Sequence, residues 1–257
     1  MRRILIGFVF ALSAHAAVAG VNKETIESGG RKHVCYVYAP ARLAADAPVP
    51  LLMLFHGSGR DGMSQINEWR TLADHEGILL AAPDSVDTRQ WSMSDDGPDL
   101  FRDTLAFVAK QHKIDLRRVY AFGHSAGAAF MLSMAPLESN FFAAIAVHAG
   151  AFKNAATSGM LELARRKIPI FIVIGTRDQF FPIEDVRATR EAFADAGFPI
   201  ETREIPNHDH NYYRSSREIN GMVWTFLSPK HLDADAHYTA YRIVKNGDRV
   251  SIEPVEP

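Results

Sequence analysis

Cysteine is almost absent: Cys35 is the only one among 257 residues. No internal disulfide can form, so the fold must be held by packing. Cys35 stands among Val34, Tyr36, Val37 and Tyr38, the setting of a buried, inert thiol rather than a nucleophile. An excess of charge is also missing. The formal net charge is −2 and no basic block interrupts it, so neither nucleic acid nor an anionic surface is implied as a partner. Beyond the first residues no apolar run is long enough to cross a bilayer. Internal repeats and long low-complexity linkers are lacking as well.

What is present starts with a targeting pattern. Arg2 and Arg3 precede an apolar stretch over residues 4–12, and Ala17-Val18-Ala19 forms an A-x-A site before Gly20. Ala14-His15-Ala16 is a second possible cleavage point. The pattern predicts a signal peptide over residues 1–19 and export to a periplasm or the medium. Residues 20–257, within a chain 47% hydrophobic overall, are then expected to form one domain with a sizeable core.

Short continuous apolar runs alternate with longer amphipathic ones. Strands are predicted over residues 33–38, 49–55, 77–82, 118–122, 141–147, 168–174 and 200–205. Helices are predicted over 100–111, after residue 125, over 183–196 with Gly197 as the stop, and from about 215. Ser215 and Glu218 have capping-box spacing, and Ile219, Met222 and Phe226 are expected to face inward. Such alternation indicates an α/β fold, a mostly parallel sheet with helices on both faces. Residues 237–257 resemble a β-hairpin extension turning at Asn246-Gly247.

In a parallel sheet the chemistry gathers at the carboxyl ends of the strands. Gly123-His124-Ser125-Ala126-Gly127 is a G-x-S-x-G between an apolar strand and a helix-forming run. A serine on such a turn is strained, its hydroxyl raised above the sheet edge. It needs a base, an acid to orient the base, and donors for an oxyanion. Asp178, just past the 168–174 strand, is the candidate acid. Two histidines after the last core strand, His208 and His210, compete as the base, in the chain order serine, acid, histidine. His208-x-His210 could also be read as two metal ligands, but no cysteine or carboxylate stands at suitable spacing, and no metal is expected.

The amides of Ser58 and Ala126 are the expected oxyanion donors, Ala126 opening a helix and Ser58 sitting between Gly57 and Gly59. Trp91 is a candidate pocket wall. His56, His124 and His148 are expected to pack or hydrogen-bond locally. Asp95, Asp96 and Asp99 lie before a helix, where carboxylates answer its N-terminus rather than a calcium ion.

These residues make the chain similar to the α/β-hydrolase superfamily, and more narrowly to secreted poly(3-hydroxybutyrate) depolymerases and feruloyl-esterase-like enzymes. The likeness is carried by Leu54-Phe55-His56-Gly57-Ser58-Gly59, Leu72-Ala73-Asp74, residues 115–120 and the serine turn, and it covers most of residues 31–227. The histidine loop departs from that group, lacking its glycine-histidine-tryptophan run. His210-Asn211-Tyr212-Tyr213 resembles the loop of esterase D-type hydrolases instead, which points to His210 as the base. The resemblance implies ester hydrolysis through an acyl-enzyme, with no cofactor and an ester, small or polymeric, as the partner. A prolyl-oligopeptidase-like peptidase or amidase and a non-catalytic polymer-binding protein of the same fold are the alternatives. The short stretch between residues 147 and 168 leaves no room for a large lid.

Overall fold

The structure is a computed structural model that describes residues 20–41, 43, 47–246 and 249–255. The predicted signal peptide and Gly247 of the predicted hairpin turn lie outside the described residues.

An eight-stranded sheet forms the centre, in the order β1 (Gly20–Ser28), β2 (Arg31–Ala39), β4 (Leu79–Pro83), β3 (Val49–Phe55), β5 (Ile114–His124), β6 (Ala144–His148), β7 (Ile170–Gly175) and β8 (Ile200–Ile205). From β4 to β8 every neighbouring pair is parallel, while β1 and β2 join antiparallel. Alternation along β3 shows why both faces are covered. Leu51, Met53 and Phe55 point to one side, into the same core as Phe101 and Leu105 of α3 (Asp99–Ala109), Met131 of α4 (Ala126–Met134) and Val186 of α5 (Ile183–Asp195). Leu52 and Leu54 point to the other, into the core shared with Ile66 and Trp69 of α1 (Gly62–Glu76) and Ile219 and Val223 of α6 (Ser216–Leu227). A strand buried on both sides reads as continuously apolar, which is why these strands are legible in the sequence.

Two elements escape that reading. β1 carries Asn22, Lys23, Glu24 and Thr25, and only Ile26 and Ser28 of it are buried; an edge strand exposed on one side has little apolar signal. The helix α1 buries Gln65 and Gly62 along with Ile66, Trp69 and Ala73, so its inward face is only partly apolar. Its start is marked by Asp61, whose side chain accepts from the Ser64 amide at 2.8 Å, and its end by Gly77 at φ 68°. Gly77 therefore stops a helix; it does not start the next strand.

The predicted capping box of α6 does not form, since the Ser215 side chain makes no cap hydrogen bond. Ser216 takes the polar contact instead, donating to Glu68 of α1 at 2.5 Å, while Asn220 donates to the Glu68 carbonyl at 3.0 Å. These contacts turn α6 so that Ile219, Val223, Trp224 and Leu227 are buried, leaving Met222 and Phe226 only partly covered. Between β6 and β7 the chain forms only two short 3₁₀ turns, Ala155–Thr157 and Leu161–Leu163, and the short helix α2 (Met93–Asp96) precedes α3. The tail forms a two-stranded antiparallel sheet of β9 (Tyr241–Asn246) and β10 (Arg249–Pro254).

Glu138, just past α4, is 1% exposed and its carboxyl has no side-chain hydrogen-bond partner among the described residues. Burial, reinforced by the charge of Asp99, pushes this carboxyl well above the usual glutamate range. An acid with a raised folded pKa contributes its full stability below its ordinary value and loses it as the pH climbs towards the folded value. Glu138→Gln keeps the volume and removes the ionisation, so it should raise stability at pH 8 and change it little at pH 4. Urea unfolding at the two pH values checks this, and equal effects at both would refute it.

Candidate active site

The serine turn is built by close approach. Ser125 follows β5 and adopts φ 55° and ψ −114°, a region that costs a non-glycine residue about 1–3 kcal/mol. The two glycines of the motif are required on steric grounds. A Cβ at Gly123 would lie 2.3 Å from the Gly127 carbonyl oxygen, and one at Gly127 would lie 2.3 Å from that of Phe55. The Ser125 amide donates to the His148 carbonyl at 3.0 Å, which anchors the turn to the end of β6.

The histidine loop follows β8 and the aspartate turn follows β7. Thr176 accepts the Asn207 amide at 2.9 Å, and the His208 carbonyl accepts the Arg177 amide at 3.0 Å. Gly175 lies so close to that carbonyl that a Cβ there would stand 2.1 Å from the oxygen. His210 is thereby brought between the other two groups. Its Nε2 lies 2.9 Å from Ser125 Oγ and its Nδ1 lies 2.7 Å from Asp178 Oδ2. Asp178 Oδ1 accepts the amides of Phe180 and Phe181 at 2.8 and 2.9 Å. Burial alone would raise the Asp178 carboxyl, but the hydrogen bonds from His210, Phe181 and Phe180 outweigh it and hold the group below the usual carboxylate value.

His208 forms no hydrogen bond with Ser125. Its Nε2 meets Nε2 of His148 at 3.1 Å, and Nδ1 of His148 meets Nδ1 of His124 at 3.1 Å. The two ring nitrogens that a metal would need from the 208/210 pair thus face different partners. Among the described residues no group of three or more His, Cys, Asp or Glu side chains is arranged to hold a metal ion. His124 is also enclosed by Tyr212, stacked at 5.1 Å. Burial, then the neighbouring His210, pushes its pKa down to about 3.

A cavity of about 310 Å³ opens over Ser125, and Ser58, Arg60, Phe180, His210 and Tyr213 contribute to its walls. Ser58 lies on the loop whose Gly57 comes against the Ser125 side chain, a Cβ there standing 3.2 Å from Ser125 Cβ. Ser58 lines this space, and Ala126 follows Ser125 as the first residue of α4. Phe180 is 65% exposed, with its ring 4.7 Å from that of His210. Arg60 lies over the Tyr213 ring at 4.7 Å. Sequence reasoning missed Arg60, Phe180 and Tyr213. The position of Phe180, two residues after Asp178, was the available signal for one of them.

Trp91 does not line this cavity, contrary to expectation. Its indole N–H donates to the His56 carbonyl at 2.8 Å and its ring stacks on Phe130 at 5.4 Å. A large apolar ring with one donor is better satisfied between a core aromatic and a backbone carbonyl than at a wet rim. His56 stabilises the same loop, accepting from the Ser85 amide at 3.1 Å. Asp96 accepts the amides of Val86 and Ser92 at 2.7 and 2.8 Å, while Asp95 pairs with Arg31 and Asp99 with Arg102. Cys35 is fully buried, and burial pushes its thiol up to about 12.

A mostly parallel sheet with a strained serine turn after its central strand defines the α/β-hydrolase fold. Residues 81–246 match the dienelactone hydrolase family, to which this chain belongs. It is similar to a bifunctional acetylxylan esterase/xylanase of Neocallimastix patriciarum, 29% identical over 179 residues, which are 68% of this chain and 26% of that protein. The chain thus spans about a quarter of that relative's length. An S-formylglutathione hydrolase from Staphylococcus aureus superposes with a TM-score of 0.67 at 15% identity, over 82% of this chain and 100% of the other. Esterase 2 of Thermogutta terrifontis, in a form phosphorylated by paraoxon, gives 0.61 at 17%, over 82% and 96%. No helix of the described residues is long and apolar enough to cross a membrane.

Proposed function

We propose that this protein is an exported serine esterase that cleaves carboxylic esters through an acyl-enzyme on Ser125. The observation that carries the reading is the pair of contacts made by one imidazole, 2.9 Å to Ser125 Oγ and 2.7 Å to Asp178 Oδ2. Export rests on the targeting pattern of residues 1–19.

In the first half-reaction Ser125 Oγ attacks the ester carbonyl carbon while its proton passes to His210 Nε2. Asp178, ionised and holding Nδ1–H, keeps the imidazole in the tautomer that can accept and stabilises the imidazolium that results. The amides of Ser58 and Ala126 receive the oxyanion, each worth about 3 kcal/mol in the transition state. His210 then returns the proton to the leaving alcohol as the acyl–oxygen bond breaks. Water, deprotonated by the same imidazole, attacks the acyl carbon; the bond to Ser125 Oγ then breaks, His210 returns the proton to Oγ, and the acid is freed.

The test combines active-site labelling with a substrate panel. A fluorophosphonate probe should modify Ser125 alone, and purified protein should turn over esters, from short acyl chains to hydroxycinnamates and hydroxybutyrate oligomers, in preference to peptide amides. Faster amide cleavage would favour a peptidase, and failure to label would favour a non-catalytic binding role.

A further inference from the structure

We propose that His148 is a positioning residue for the hydrolytic site, its imidazole tying the serine turn to the histidine loop; the inference rests on the esterase reading above. His124 ends β5 and precedes Ser125, His148 ends β6, and His208 stands two residues before His210. The ring of His148 is fully buried and spends both nitrogens on the other two, Nδ1 on His124 and Nε2 on His208, each at 3.1 Å. Its carbonyl accepts the Ser125 amide at 3.0 Å, and the carbonyl of His208 accepts the Arg177 amide beside Asp178 at 3.0 Å. One residue thus reaches, directly or through one partner, all three segments that carry Ser125, Asp178 and His210.

The backbone points the same way. Among the described residues three non-glycine positions have positive φ: Ser125 at 55°, Ala149 at 56° and Asn207 at 61°. Each is the chain neighbour of one of the three histidines. Asparagine tolerates the left-handed region, whereas serine and alanine do so at a cost, and such conformations persist only where the surroundings over-determine them. The imidazole chain connects these three strained points.

Proton counting explains why imidazole is needed. A neutral imidazole donates from one nitrogen and accepts at the other. Each of the two N···N contacts needs one proton, and three neutral rings carry three, one for each contact and one for a free end. A phenylalanine at 148 would fill the space and satisfy neither contact. A glutamine would satisfy one. Burial, then the adjoining His124, His208 and His210, holds His148 well below the ordinary histidine value, which keeps the central ring neutral.

The test uses His148→Phe, His148→Gln and His208→Phe, each measured for kcat and KM on a p-nitrophenyl ester, for the rate of fluorophosphonate labelling, and for thermal midpoint. Since a misplacement of about 1 Å can cost about 10²-fold, His148→Phe should lower kcat and the labelling rate by about 10- to 100-fold with KM within about twofold. His148→Gln and His208→Phe, each losing one contact, should fall between that variant and the parent. The double variant combining His148→Phe with His208→Phe should be no slower than His148→Phe alone, because both changes cut one chain. Labelling by His148→Phe at the parent rate, or an additive double variant, overturns the proposal. If His148→Phe does not fold, parent rates in both of the other variants overturn it equally. Ser125→Ala separates the two readings. Labelling that survives that change defeats the esterase reading together with this one, whereas loss of labelling there with full-speed labelling in His148→Phe defeats this one alone.

Discussion

Replacing Ser125 by alanine is expected to lower kcat for a p-nitrophenyl ester by about 10⁴- to 10⁶-fold, with loss of fluorophosphonate labelling and no loss of folding. The removed hydroxyl oxygen is the atom 2.9 Å from His210 Nε2, and that imidazole is held at Nδ1 by Asp178; the Ser85 hydroxyl also lies near an imidazole, 3.3 Å from His56 Nε2, but Nδ1 of that ring meets the Gly57 carbonyl and no carboxylate. His210→Ala should fall into the same range, and the double variant should be no worse than either single one, since groups acting as one unit are not additive. His208→Ala is the informative comparison. Two positions away, its ring faces His148 at 3.1 Å instead of the serine, so its loss should stay within about 100-fold. Steady-state kinetics on the four proteins checks the set. A His208 variant as inactive as the His210 variant, or a Ser125 variant with undiminished turnover, would defeat the assignment. Strain at Ser125 adds a secondary expectation: alanine keeps the positive φ, so its thermal midpoint should move little.

Asp178→Asn is expected to cost about 10⁴-fold in kcat with little change in KM, and the two carboxylate oxygens explain why. Oδ1 accepts the amides of Phe180 and Phe181 at 2.8 and 2.9 Å, while Oδ2 faces His210 Nδ1 at 2.7 Å. An asparagine must keep its carbonyl oxygen on the two amides, which turns its NH₂ towards His210. The imidazole then accepts at Nδ1 and carries its proton on Nε2, pointing at the serine hydroxyl it should deprotonate. Geometry survives and the tautomer is wrong. The same change alters acid stability. Because the Asp178 carboxyl lies below its ordinary value, the stability it contributes is present above the ordinary aspartate pKa and is lost as the pH falls through the lowered one. The stability gap between parent and Asp178→Asn should therefore narrow in acid, which unfolding curves from pH 7 to pH 3 would reveal. A variant with full activity would show that the carboxylate plays no part in the reaction.

The reach of sequence reading can be judged from particular residues. Strands β3, β5, β6 and β7 were legible because burial on both faces leaves a continuous apolar run, and the serine turn because Gly123 and Gly127 stand where any Cβ would strike a carbonyl. Edge strand β1 and helix α1 were not legible, the first because half of it faces water, the second because glutamine and glycine share its buried side. Trp91 misled for a related reason. An aromatic in a polar loop gives no indication of whether its ring will find Phe130 or the cavity.

Local patterns determined the class of this protein: apolar periodicity gives the layered sheet, and steric limits on a tight turn single out one serine. Which imidazole meets that serine could be settled only by tertiary structure. His208 and His210 occupy one short loop, and their directions depend on contacts with His148 of β6 and with Asp178 on the turn after β7, about 30 to 60 residues away in the chain. Non-local hydrogen bonds of that kind leave no periodic trace in a linear sequence, so the same loop read alone supports either ring.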